Sequence, residues 1–186
     1  ETGIRNVGMY RLQVLGPRRL AMHWQLHKTA NAHYRGYRKR GERMPVAIAL
    51  GGDPALTYCA SAPLPPNVDE YLFAGFLRGE AVRMVKGVAT ELDVPADADV
   101  VIEGFVDTGA PLVREGPFGD HTGFYSLADD YPALDVVAVH DALATAFALL
   151  ASFYLRFEGS DAFFARLPLL LFLLPFFVAF SIVICF

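Results

Sequence analysis

The sequence predicts an α+β fold with a β-barrel or sandwich at its centre and an apolar helical tail behind it. Three observations carry this. Short apolar runs end at Gly/Pro/Asp clusters, few segments have helical periodicity, and charge nearly disappears after Pro132. Tyr10 to Leu15 alternates and stops at Gly16-Pro17. Pro45 to Leu50 is apolar and stops at Gly51-Gly52-Asp53-Pro54, and Asp99 to Val106 has strand character. A helix is expected within Trp24 to Arg38. A second runs over Val68 to Arg78, capped by Asn67 or Asp69, with Leu72, Phe73, Phe76 and Leu77 on one face.

Of the 36 charged residues only six fall in 134–186, which places a domain boundary between residues 133 and 134. Leu167 to Phe186 is 20 residues without a charge. At ~1.5 Å per residue that length matches the ~30 Å apolar layer of a bilayer. Three readings stand open for the tail: a membrane anchor contacting lipid through 167–186, a buried core helix of a larger protein, or non-native sequence. Pro168 and Pro175 weaken a spanning helix.

The net charge of −4 over 186 residues gives no electrostatic footprint for nucleic acid, and none is expected as a partner. Arg35, Arg38, Lys39, Arg40 and Arg43 form a local basic run expected to be a solvated loop. Cys59 and Cys185 are too few for a disulfide framework or a thiolate zinc site, which suits a reducing, cytoplasmic setting. Glu1-Thr2-Gly3 carries no secretion-signal pattern, so the chain is expected to begin inside a longer protein.

The segment Glu115-Gly116-Pro117-Phe118-Gly119-Asp120 concentrates the chemistry. Two carboxylates lie five residues apart across a turn rich in Gly and Pro, and close carboxylates divide into proton holder and anion. Taken alone, the hexapeptide is also consistent with two acids solvating a turn. Elsewhere Asn6 and Arg11 flank a strand start at Gly8, where backbone N–H groups could approach a phosphate, and His23, His27 and Glu70 are further polar residues near turns. An amide oxygen, an imidazole and a carboxylate suit Mn²⁺ or Mg²⁺ better than a thiolate zinc site. Each also has a plain structural role: turn residue, partly buried histidine, first-turn helix acid.

In order, the blocks GIRNVGMYR, AMHWQLHK, the proline-rich turn before Asp69-Glu70, VPADADVVIEG and EGPFGDHTGFYS resemble the UbiD family of prenylated-FMN-dependent decarboxylases, from Gly3 to about Pro132. The resemblance implies an FMN-binding split β-barrel over 1–133, set between two further domains in a protein that is a homo-oligomer at full length. It implies prenylated FMN, Mn²⁺ or another divalent cation, and K⁺. Asn6, His27 and Glu70 correspond to its metal ligands and Arg11, Glu115 and Asp120 to its catalytic set. Met9, Tyr10, Arg11, His23, Trp24, Gln25, Lys28, Thr29, Ser61 and Pro63 correspond to residues along the flavin. Thr29-Ala30-Asn31 departs from the small or glycine residues usual after the His-Lys block. The implied function is carboxy-lyase chemistry on an aromatic or α,β-unsaturated acid such as a 4-hydroxybenzoate, of the kind used in ubiquinone biosynthesis. The alternatives are a metal-dependent hydrolase, a membrane-anchored flavin- or metal-binding module, and an inactive fragment.

Overall fold

The computed structural model describes residues 5–65, 68–119, 122–140 and 182–185. In chain order the elements are β1 (Val7–Gly8), β2 (Leu12–Gly16), β3 (Arg19–Met22), α1 (Thr29–Arg40), β4 (Met44–Leu50), α2 (Pro54–Ser61), α3 (Glu70–Arg78), β5 (Met84–Lys86), β6 (Asp93–Pro95), β7 (Val100–Val106), β8 (Val113–Glu115), β9 (Phe118–Gly119), β10 (Tyr125–Ser126), β11 (Asp129–Tyr131), β12 (Ala133–His140) and β13 (Ile182–Cys185). Seven strands form one antiparallel sheet in the order β1-β13-β4-β7-β12-β3-β2, and β5–β6, β8–β11 and β9–β10 are short two-stranded ladders. The chain is therefore mixed α/β, with sheets and few helices.

The central strand β4 explains why its sequence is an unbroken apolar run. Met44, Val46 and Ile48 point to one face, where Leu20, Met22, Trp24, Val106 and Leu134 pack with Ala30 and Tyr34 of α1. Ala47 and Ala49 point to the other face, against Leu56 and Cys59 of α2, Tyr71 and Ala74 of α3, and Val94 and Val101. A strand covered on both sides has no reason to alternate in polarity. Three of the expected strands coincide with β2, β4 and β7.

The structure corrects several expectations. The sheet is not a closed barrel: among the described residues its edge strands β1 and β2 do not pair with each other. After the two-residue β1 the chain leaves the sheet, and the Met9 N–H donates to the Ala60 carbonyl at the end of α2, 3.3 Å away. Strand β12 begins at the compositional break and belongs to the sheet, paired with both β3 and β7. Charge counting marks the change in composition, whereas pairing follows strand register. Within the tail, Ile182–Cys185 is a strand between β4 and β1 rather than a helix, in keeping with its β-branched residues. Residues 141–181 and 186, which include most of the 20-residue uncharged run, lie outside the described residues. Among the described residues no helix is long and apolar enough to cross a membrane.

The basic run is not a loop either. Arg38, Lys39 and Arg40 form the last turn of α1, where cations oppose the exposed carbonyls, and Gly41 ends the helix at φ 69°. Helix α2 was not expected, although Asp53-Pro54 is an N-cap followed by proline at the first helical position, and the Asp53 carboxylate accepts from the Ala55 N–H at 2.8 Å. Asp69 caps α3 as expected, but that helix buries Tyr71 and Ala74 while Leu72 and Phe76 are 74% and 79% exposed.

Candidate functional site

Arg11 and His23 face each other because the β2–β3 hairpin keeps its register one step beyond the Leu12↔Met22 pair. The His23 N–H donates to the Arg11 carbonyl at 3.2 Å. Glu115 arrives from the end of β8, which is held by β11 with Asp129 opposite Glu115. There the Arg11 guanidinium binds the Glu115 carboxylate through two bonds, Nε to Oε1 at 2.8 Å and Nη2 to Oε2 at 3.0 Å. The Glu115 side chain is 0% exposed. A buried carboxylate requires such a partner, and the planar fork of arginine supplies two parallel bonds.

The surrounding contacts fix this pair. Arg11 lies over the Phe118 ring, 4.3 Å from its centroid. The His23 Nδ1 is 2.8 Å from Arg11 Nη2 and 3.1 Å from Glu115 Oε2, and its ring packs on Tyr131 at 4.4 Å between centroids. Burial, followed by the nearby charges of Asp129 and Glu115, pushes the Tyr131 hydroxyl up from its ordinary value. Gly116, at φ 89°, occupies the left-handed region that turns the chain sharply after Glu115, and its N–H donates to Gln13 Oε1 at 2.8 Å. Asp120 lies outside the described residues.

A second polar group gathers at β1. The Glu70 carboxylate accepts from the Val7 N–H at 3.1 Å, and Asn6, itself buried, donates from Nδ2 to the Tyr10 hydroxyl at 3.2 Å. That hydroxyl also accepts from the Ala30 N–H at 3.3 Å, which ties β1 to the first turn of α1. Burial pushes the Glu70 carboxyl up. His27 is exposed in the turn before α1, and among the described residues no hydrogen bond joins it to Asn6 or Glu70. Nor does any group of three or more His, Cys, Asp or Glu side chains there form a metal cluster. Gly8 makes room for a different neighbour from the one expected: an added Cβ would overlap the Tyr10 ring.

The residues expected along a flavin divide into buried and open ones. Trp24 and Tyr10 are core residues, and the Trp24 carbonyl accepts from Asn31 Nδ2 at 2.8 Å. Met9, Gln25, Lys28 and Thr29 are exposed, with Lys28 preceding α1 and making no side-chain cap. Ser61 and Pro63 follow at the end of α2, where Ser61 Oγ donates to the Thr57 and Tyr58 carbonyls. Sequence reasoning named Phe118 only as part of the acidic turn, and missed Tyr131 and Gln13 as neighbours of the Arg11–Glu115 pair. Apart from the aromatic character of Tyr131, nothing local marks these two.

Residues 1–143 match the family described as the 3-octaprenyl-4-hydroxybenzoate carboxy-lyase Rift-related domain, UbiD. The chain belongs to the UbiD family. An uncharacterised protein of Aquifex aeolicus is 58% identical over 139 residues, which cover 75% of this chain and 29% of that protein. One from Helicobacter pylori is 47% identical over 135 residues, 73% of this chain and 22% of that protein. The chain thus spans less than a third of these relatives. Among solved structures, the UbiD-class enzyme HmfF from Pelotomaculum thermopropionicum in complex with FMN superposes with TM-score 0.71 at 34% identity, covering 75% of this chain and 31% of HmfF. The vanillic acid decarboxylase of Sedimentibacter hydroxybenzoicus gives 0.69 at 32% identity, covering 72% and 28%. The UbiD-class neighbours include decarboxylases and complexes with FMN and its prenylated form, prFMN.

Proposed function

We propose that this chain is the cofactor-binding part of a prenylated-FMN-dependent decarboxylase, a UbiD-like carboxy-lyase acting on an aromatic or α,β-unsaturated carboxylic acid. The observation that carries the reading is the buried, two-bond Arg11–Glu115 pair beside the turn that leads to Asp120. The split-barrel description and the assembly into a homo-oligomer belong to this reading of the full-length protein, as does the small-molecule acid substrate.

Fit to the implied groups is favourable on the donor chemistry. Asn6 and Glu70 bring an amide and a carboxylate to one strand, both oxygen donors for a hard cation such as Mn²⁺, and His27 would add its imidazole from the turn before α1. Burial of Glu70 disfavours its anion, and a bound cation would relieve that cost. Lys28, exposed just ahead of α1, would offer its ammonium to the phosphate of a flavin. Met9, Gln25, Thr29, Ser61 and Pro63 would line its length, with His23, while Trp24 and Tyr10 would act as the wall behind them.

When bound, the modified flavin supplies the electron sink that decarboxylation of such acids lacks. The protein's own residues orient and move protons. Arg11 would neutralise and align a carboxylate, Asp120 would hand a proton to the carbon that loses CO₂, and Glu115 would pair with Arg11 and share one proton with Asp120. The test is Asp120→Asn in the full-length protein, followed by proton exchange at the product carbon alongside the flavin spectrum. Exchange should fall by roughly 10²–10⁴ with flavin binding retained. Undiminished exchange would move the donor role to another group, with Glu115 next.

A further inference from the structure

Glu115 is sealed from solvent, yet an acid that shares a proton during turnover has to be recharged. Among the described residues its carboxylate contacts three side-chain nitrogens: Arg11 Nε, Arg11 Nη2 and His23 Nδ1. A guanidinium does not release its proton in a protein, so it can hold the carboxylate but cannot pass anything through. An imidazole can, because it accepts at one ring nitrogen while it donates from the other. The His23 side chain is 15% exposed, against 0% for Glu115, so it lies on the solvent side of the acid.

The geometry around Nδ1 is that of a two-way contact. Carrying hydrogen, Nδ1 donates to Glu115 Oε2 at 3.1 Å and faces the Arg11 Nη2 donor unfavourably. Without hydrogen, it accepts from Arg11 Nη2 at 2.8 Å and faces the ionised Oε2 unfavourably, a clash that disappears once Oε2 is protonated. Each state of the ring therefore has a partner waiting. Besides Arg11 and Glu115, Tyr131 packs on the ring, and Asp129 is exposed opposite Glu115 in the β8–β11 ladder. No described residue hydrogen-bonds His23 Nε2, and the side chain keeps part of its surface exposed.

We infer that His23 is the proton relay between solvent and Glu115. The N–H bond at Nδ1 breaks as the O–H bond at Oε2 forms, and Nε2 takes a proton from a solvent water, whose O–H bond breaks to leave hydroxide in the solvent. One proton enters, the imidazole stays neutral in its other tautomer, and Glu115 becomes the neutral acid. The bare Nδ1 is then held by Arg11 Nη2 until the ring resets. This rests on the reading of the acid pair under Proposed function.

Two measurements decide it. In the chain labelled with ¹⁵N-histidine, long-range ¹H–¹⁵N spectra read which His23 nitrogen carries hydrogen, and Glu115→Gln, close in shape but never anionic, should change that pattern. The same tautomer and charge state in both proteins overturns the coupling. In the full-length holoenzyme, His23→Ala should slow proton exchange at the product carbon on the order of 10²-fold when compared at equal flavin occupancy, and added imidazole should restore it. Undiminished exchange means that the proton enters elsewhere. A loss that imidazole does not restore makes His23 a positioning residue, and either result overturns the relay. If the wild-type holoenzyme shows no exchange at all, the functional reading fails, and the spectra of the chain still decide whether His23 is coupled to Glu115.

Discussion

Arg11 and Glu115, 104 residues apart in the chain, meet as a two-bond ion pair whose carboxylate is wholly buried. Removing the guanidinium alone strands that charge. Arg11→Met is expected to cost about 3–5 kcal/mol in urea unfolding, the usual consequence of breaking a buried pair. A double-mutant cycle with Glu115→Gln should show coupling on the order of 1 kcal/mol or more, and additive losses would mean that the pair contributes nothing as a unit.

Glu103 on β7 gives the chain an acid-sensitive staple. Burial alone would raise its carboxyl, but hydrogen bonds from the Thr90 hydroxyl and the Thr90, Val88 and Ala89 N–H groups hold it at about 2. His140 Nε2 adds a contact at 2.7 Å. Because the folded value is below the ordinary carboxylate value, the stabilisation is complete above roughly pH 4.5 and is lost as pH falls towards 2, roughly 3 kcal/mol in all. Thr90→Val should shift the midpoint of acid unfolding to higher pH, read by circular dichroism. An unmoved midpoint would remove Glu103 from the account of acid stability.

The two sides of α3 should respond to very different degrees. Phe76→Ser touches a largely exposed ring and should change stability by no more than about 0.5 kcal/mol. Ala74→Leu adds volume to a fully buried position and should cost about 1–3 kcal/mol. Thermal denaturation of the two variants makes the comparison. A large loss for Phe76→Ser would show that the exposed face is covered in solution.

If Asn6 and Glu70 share a divalent cation, Mn²⁺ should raise the melting temperature of the chain in a saturable way. At about 100 times its Kd the gain is roughly 2.7 kcal/mol. Glu70→Gln should abolish the shift, and Asn6→Ala should weaken it. An equal shift in all three proteins would point to binding elsewhere.

The sequence by itself determined the family, through ordered blocks, and the positions of β2, β4 and β7, through runs that end at Gly-Pro, Gly-Gly and Asp residues. It also determined the Asp69 cap of α3, because capping is a local hydrogen bond within two residues. Tertiary structure decided what depends on distant partners. The side of α3 that is buried was set by what it packs against: of the expected face Leu72, Phe73, Phe76 and Leu77, Phe73 alone packs on the core, beside the buried Tyr71 and Ala74. Membership of Ala133–His140 in the sheet was set by register with β3 and β7, which composition does not encode. Sequence order proposed Arg11 and Glu115 as one set only by resemblance. What joins them to His23 and Tyr131 is the meeting of the β2–β3 hairpin with the β8–β11 ladder, a contact between segments that no local spacing relates.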